Sequence, residues 1–199
     1  MNRQHFLQQF QLKTTVGYHP ESIKRLSHLN DSKLRKAAVV VGLVDRKEGL
    51  HVIFTKRAKH LKHHPGQISF PGGKFEPSDP SLHFTALREL EEEVGILSSQ
   101  VKIIGELPEL PTISLFSVTP IIAMIDPGYE AIIDKNEVES LFEVPASHLL
   151  NSDHLYSHTV NFNQYKHRVF AMPFQQHLIW GMTAQIIQSL QQQMKKHTA

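Results

Sequence analysis

Three glutamates, Glu89, Glu92 and Glu93, stand at i, i+3 and i+4 in the segment Arg-Glu-Leu-Glu-Glu-Glu-Val-Gly-Ile, residues 88–96. On a helix that spacing puts their side chains on one face. Like charges held so close repel, so they must either face water or be neutralised by divalent cations. A hard cation such as Mg²⁺ takes oxygen ligands and shares them with substrate phosphates. Arg88 lies within reach of the same carboxylates and can hold one in a fixed rotamer. Fifteen residues before Arg88 ends a Pro71-Gly72-Gly73 turn, where the backbone can come close to a ligand.

These acids need a rigid support. Leu87, Leu90 and Val94 form an apolar stripe that anchors the helix, expected over residues 80–93. Ser78 or Asp79 is the expected cap, with Pro80 in the first turn and Gly95 as the left-handed stop. Residues 37–44 are an apolar run that reads as a buried strand, and residues 51–56 as its hairpin partner. Residues 58–67 read as a basic loop, 69–73 as a short strand and turn, and 108–111 as a loop. Further strands are expected over residues 101–107, 116–125 (interrupted or edged at Pro120), 159–162 and 168–172. Helices are expected over 145–150 and 180–193. Residues 1–35 read as an N-terminal appendage with a helical pattern at Ile23, Leu26 and Leu29, and residues 36–199 as the main domain.

The segment resembles the Nudix box: Gly73, an acidic residue at Asp79, then Arg88, Glu89, Leu90, Glu92, Glu93, Gly95 and Ile96. Here the middle acid is an aspartate, and one extra residue separates it from Arg88. That variation is similar to the branch of the family that cleaves coenzyme A. A second signature of that branch lies upstream, at residues 54–58, 61–63 and 66–73, with Lys62 where arginine is frequent. Later segments at 118–120, 137–145 and 179–184 also resemble this branch. The resemblance implies an α/β fold, a Nudix-like α/β/α sandwich with a mixed sheet.

It also implies metal-dependent hydrolysis of the pyrophosphate of coenzyme A, or of its acyl derivatives, to 3′,5′-ADP and (acyl-)4′-phosphopantetheine, with Mg²⁺ or Mn²⁺ as cofactor. The implied metal ligands are Glu89, Glu92 and Glu93. Glu89 and Glu93 are favoured as direct ligands and Glu92 as ligand or aligner, with a carbonyl of Gly72 or Gly73 completing the shell. Glu92, Arg88 and Glu137 are the expected catalytic residues; Arg88 orients a glutamate, and the base comes from the box or from Glu137, with Glu139 less favoured. Arg57 and Lys62, ahead of Lys59, are the expected phosphate contacts. His60, His63 and His64 lack a carboxylate in zinc-motif spacing and read as anion-binding or merely water-facing groups. Trp180 reads as packing, with adenine stacking the less favoured role. Another nucleoside diphosphate derivative, such as ADP-ribose, a dinucleotide or a damaged nucleotide, is the alternative substrate. A noncatalytic ligand sensor is the alternative of another class, disfavoured because a sensor needs no such acidic set.

Composition narrows the field. A chain of 199 residues fits one domain. A formal net charge of +2 gives no argument for nucleic-acid binding. With no cysteine there is no disulfide, zinc–thiolate site or thiol nucleophile. The N-terminus leads into no long apolar run, and no stretch is long enough to span a membrane, so a cytoplasmic location is expected. The expected partner is a small-molecule substrate, and a homodimer is compatible with the sequence.

Overall fold

The computed structural model describes residues 1–12, 16–23, 34–162 and 165–195. Helices α1 (Arg3–Gln11) and α2 (Pro20–Ile23) precede a long hairpin of β1 (Arg35–Arg46) and β2 (Gly49–Arg57). Then follow β3 (Ile68–Ser69), β4 (Gly72–Lys74), α3 (Leu82–Val94), β5 (Val101–Glu106), β6 (Leu110–Pro111), β7 (Phe116–Ile125) and β8 (Val138–Pro145). The chain closes with α4 (Ala146–Leu150), β9 (Tyr156–Phe162), β10 (Tyr165–Phe174), β11 (His177–Trp180) and α5 (Met182–Met194).

The main sheet runs β3-β2-β1-β7-β5, with β4 beside β1, β6 beside β7 and β8 beside β2. It is mixed: β1 and β7 pair in parallel from Arg35↔Phe116 to Val44↔Ile125, while β1 and β2 pair antiparallel. All of residues 37–44 are buried because β1 is covered on both faces, which is why it reads as an unbroken apolar run. Ala38, Val40 and Val44 pack under α3 with Ala86, Leu90 and Val94. Val39, Val41 and Leu43 face the other way, against Ile186, Ile187 and Leu190 of α5. The result is the expected α/β/α sandwich, with a second antiparallel sheet, β11-β10-β9, alongside.

Several local expectations are corrected. The buried apolar row of α3 is Ala86, Leu90 and Val94, spaced by four and continued by the half-buried Leu82, while Leu87 is also only half-buried. The helix cap is Ser81, whose Oγ accepts the Phe84 N–H at 3.1 Å; neither Ser78 nor Asp79 caps it. Gly95 does stop the helix in the left-handed region, at φ 73°.

Other corrections fall in the strands. Pro120 does not interrupt β7, where it pairs with Val39, but it stands at a local edge as the alternative expectation had it. Its missing N–H costs no ladder bond, because it falls opposite the gap between β5 and β6, where only Leu107 N–H reaches the Pro120 carbonyl. Leu110 and Pro111 form a short strand within the expected loop. Trp180 ends a strand, and α5 begins two residues later. At the N-terminus, Phe6, Phe10 and Tyr18 are buried in the same core as β1 and α5, and Ile23 ends α2. Leu26 and Leu29 lie outside the described residues. Among the described residues, no helix is long and apolar enough to cross a membrane.

Candidate active site

The acidic face of α3 is organised by one guanidinium. Arg88 Nε and Nη2 donate to the two oxygens of Asp79, both at 3.1 Å. Nη2 also donates to the Lys74 carbonyl at 3.1 Å. Nη1 is shared between Glu89 Oε1 at 3.1 Å and Glu92 Oε2 at 2.7 Å. An arginine has five N–H donors, and these bonds use all five. Arg88 therefore has no donor left for a phosphate. Asp79, whose side chain is fully buried, also accepts from Thr85 Oγ1 at 2.8 Å and Glu76 N–H at 3.0 Å. Its hydrogen bonds to Arg88 hold its carboxyl well below the usual carboxylate range. The middle acid of the box is thus the anchor that locks Arg88, and Arg88 in turn aims Glu89 and Glu92.

Glu93 has a different surrounding. It lies three residues from Leu90, at the margin of the buried row, and is 4% exposed. It accepts the Gly72 N–H at 3.2 Å. Burial pushes its carboxyl up to about 8, against the pull of that hydrogen bond and with the charges of Glu89 and Glu137 adding to the rise. Burial also raises Glu89, with Arg88 pulling it back. Gly73 lets the backbone come close to α3: a Cβ there would collide with the Glu89 carboxylate. Gly72, at φ 149°, leaves no room for a Cβ beside the Ala38 carbonyl.

Two loops close over this face. The β7–β8 loop is tied to the end of α3 by Ile132 N–H to the Val94 carbonyl, 2.9 Å, and Asp134 N–H to the Glu93 carbonyl, 3.0 Å. Further back it is clamped by Arg46, which donates to the Pro127 carbonyl at 2.6 Å and forms a two-point ion pair with Glu143; Tyr129 Oη donates to the same carboxylate at 2.8 Å. The basic loop is closed at its base by Arg57 N–H to the Gln67 carbonyl, 3.0 Å, and Gly66 N–H to the Arg57 carbonyl, 3.1 Å. The loops meet where Ala58 N–H donates to the Glu137 carbonyl at 2.8 Å and His60 Nε2 contacts the Asn136 carbonyl at 3.0 Å.

The charge of Arg57 thus reaches Glu93, and that of Glu137 reaches both Glu89 and Glu93. Lys62 is exposed on the basic loop. Glu139 is committed to Lys56 at 2.7 Å, with Lys59 at 3.9 Å. The clamp of Arg46, Glu143 and Tyr129 was not anticipated; its members are far apart in sequence and match no short pattern.

The expected ligand trio is not assembled as one cluster. Among the described residues, no three carboxylate or imidazole groups converge at coordinating range. Glu89 and Glu92 share Arg88, while Glu93 turns to Gly72. The pair Glu89 and Glu93 nevertheless suits a hard divalent cation. Both are carboxylates under burial strain, and their charge is only partly offset by Arg88 and Arg57. Mg²⁺ commonly uses one or two protein carboxylates and fills the rest of its shell with water and phosphate.

Residues 33–160 match the NUDIX domain family. A Yersinia pestis (strain Pestoides F) protein described as "Uncharacterized Nudix hydrolase NudL" is 38% identical over 189 residues, covering 95% of this chain and 93% of its own. Its Yersinia pseudotuberculosis (serotype O:1b, strain IP 31758) counterpart matches to the same extent. The NUDIX domain of Shewanella oneidensis NrtR, solved in complex with ADP ribose, shares the fold with a TM-score of 0.51 at 15% identity, covering 86% of this chain and 97% of that one. A match that spans most of the chain and includes the whole acidic helix places the protein in the Nudix hydrolase family, whose members act on pyrophosphate bonds with the help of divalent metal ions.

Proposed function

We propose that this hydrolase cleaves the pyrophosphate of coenzyme A, or of its acyl derivatives, to 3′,5′-ADP and (acyl-)4′-phosphopantetheine, with Mg²⁺ or Mn²⁺. The observation that carries the choice of substrate is the basic loop. It is pinned to Glu137 and Asn136 beside the acidic helix, and it presents Lys59 and Lys62 to solvent. Coenzyme A differs from most nucleoside diphosphate substrates in its extra 3′-phosphate, which such a loop is suited to recognise.

In this reading Glu89 and Glu93 hold the metal, which when bound neutralises phosphate oxygens and acidifies an attacking water. Arg88 fixes Glu89 and Glu92 so that they need not reorganise during the reaction. Glu92, the most exposed of the three, aligns the water or joins the shell. Glu137 accepts the water proton. Arg57 offsets charge on the bridging phosphates, and Lys62 meets the 3′-phosphate.

Dephospho-coenzyme A tests the substrate assignment, because it lacks only the 3′-phosphate. Losing a charge-assisted contact costs about 1.5–3 kcal/mol, so kcat/KM should fall roughly ten- to a hundredfold against coenzyme A. Lys62→Ala should shrink that ratio, mainly by slowing coenzyme A. Equal rates on both substrates would remove the 3′-phosphate from recognition. ADP-ribose outrunning both would overturn the coenzyme A assignment and leave a broader pyrophosphatase.

A further inference from the structure

A cavity of about 460 Å³ lies on the α5 side of the main sheet, where β11 meets the ends of β2 and β8. Lys56, Gly66, Ser140, His177, Leu178 and Trp180 are among the residues lining it. It contains none of the acids of α3, yet one of its lining residues is next in sequence to Arg57, whose charge reaches one of them. Lys56 lines the cavity, and the charge of the next residue, Arg57, acts on Glu93. Gly66, another wall residue, donates its N–H to the Arg57 carbonyl. The strand end that faces the acidic helix with one residue therefore faces this cavity with the preceding one.

Two of the lining residues, His177 and Trp180, present flat rings among polar and aliphatic neighbours. A column of stacked rings rises from the core: Phe70 against Phe54 at 4.7 Å, Phe54 against Phe142 at 5.8 Å, and Phe142 against His177 at 4.0 Å and 9°. His177 ends the column at the cavity. Burial, with Lys56 nearby, lowers its pKa and favours the neutral ring. Trp180 is 47% exposed and Leu178 is 54% exposed, so both side chains are open to a ligand entering the cavity. Polar groups stand beside the rings: the Gln176 amide, the Ser140 hydroxyl and the Glu139 carboxylate held by Lys56. Planar π-surface with mixed donors and acceptors at its edge suits a nucleobase, whose ring stacks and whose rim both donates and accepts.

The geometry points to a nucleobase subsite: this cavity takes the purine ring of the substrate, stacked on Trp180, while the diphosphate lies beyond Arg57 at the acidic helix. The inference rests on the pyrophosphatase reading, but it does not need coenzyme A, since any adenine-bearing diphosphate would use the site in the same way.

Trp180 is the only tryptophan of the chain, so its fluorescence reports on the cavity directly. Titration in EDTA with 3′,5′-ADP or with AMP should give saturable quenching, whereas 4′-phosphopantetheine should give none. Trp180→Ala should raise KM about tenfold or more, with kcat changed less than about twofold, and Trp180→Phe should recover most of the loss. Quenching by 4′-phosphopantetheine and not by AMP would overturn the assignment and give the cavity to the other arm of the substrate. So would absent quenching together with an unchanged KM in Trp180→Ala. Quenching by AMP in an enzyme that ignores coenzyme A would support the subsite and sink only the choice of coenzyme A.

Discussion

Glu93→Gln should stabilise the metal-free protein at pH 8 while removing most of its turnover. In the folded chain, burial keeps the Glu93 proton bound up to about pH 8, against an ordinary value of 4.5. Between those values the native state binds more protons than the unfolded state, so stability falls as pH rises. The contribution is fully present below about pH 4.5 and is lost as the pH passes 8. A shift of this size corresponds to an effect on the order of 2–5 kcal/mol. Glutamine is neutral throughout and keeps the shape, so the variant should not show this loss. Denaturant unfolding in EDTA should find the two proteins similar near pH 4.5 and the variant more stable near pH 8.5. Saturating Mg²⁺ should narrow that difference by stabilising the wild type, because a ligand that binds only the folded carboxylates adds its binding energy to folding. Activity should fall roughly 10²-fold or more. A wild-type stability that climbs between pH 5 and 8 in EDTA would contradict the burial of an uncompensated carboxyl here.

Arg88→Ala should lower kcat by roughly 10²-fold while changing KM far less. All five donors of Arg88 are used within the protein, so its removal takes no contact from the substrate. It instead frees Glu89 and Glu92 and leaves Asp79 buried without its cation, so the melting temperature should also drop. Arg88→Lys should recover little, because a single ammonium cannot reproduce a two-point bond to Asp79 and still reach two glutamates. A large rise in KM at unchanged kcat would instead assign Arg88 to phosphate binding.

The readable parts of the sequence were those governed by short-range rules. The i, i+3, i+4 spacing of the glutamates, the stop at Gly95 and the hairpin of β1 and β2 each depend on neighbours within a few positions. The apolar run of β1 marked a strand covered on both sides, and this fixed the layer order. What was missed depends on tertiary surroundings. Spacing put Glu93 on an open acidic face, but a residue three positions from Leu90 lies at the edge of the buried row. Asp79 looked like a helix cap because aspartate caps helices well, yet its pairing with Arg88 prevailed and Ser81 took the cap. Pro120 left open whether its strand is interrupted or at an edge, because the gap that β5 and β6 leave beside it is a matter of tertiary pairing. Trp180 was read as the start of a helix, since pattern alone does not separate the last residue of a strand from the first turn that follows it. The clamp behind Glu137 joins Arg46 to residues 81 and 97 positions away, beyond the reach of any local motif.

The products of coenzyme A turnover decide whether the acidic face of α3 hydrolyses this pyrophosphate. Purified protein incubated with coenzyme A and Mg²⁺, then resolved by mass, should yield 3′,5′-ADP and 4′-phosphopantetheine in equal amounts. EDTA should abolish both, and Glu89→Gln or Glu93→Gln should suppress both together. Coenzyme A left intact under these conditions, release of inorganic phosphate in place of the two halves, or undiminished cleavage by the glutamine variants would contradict it.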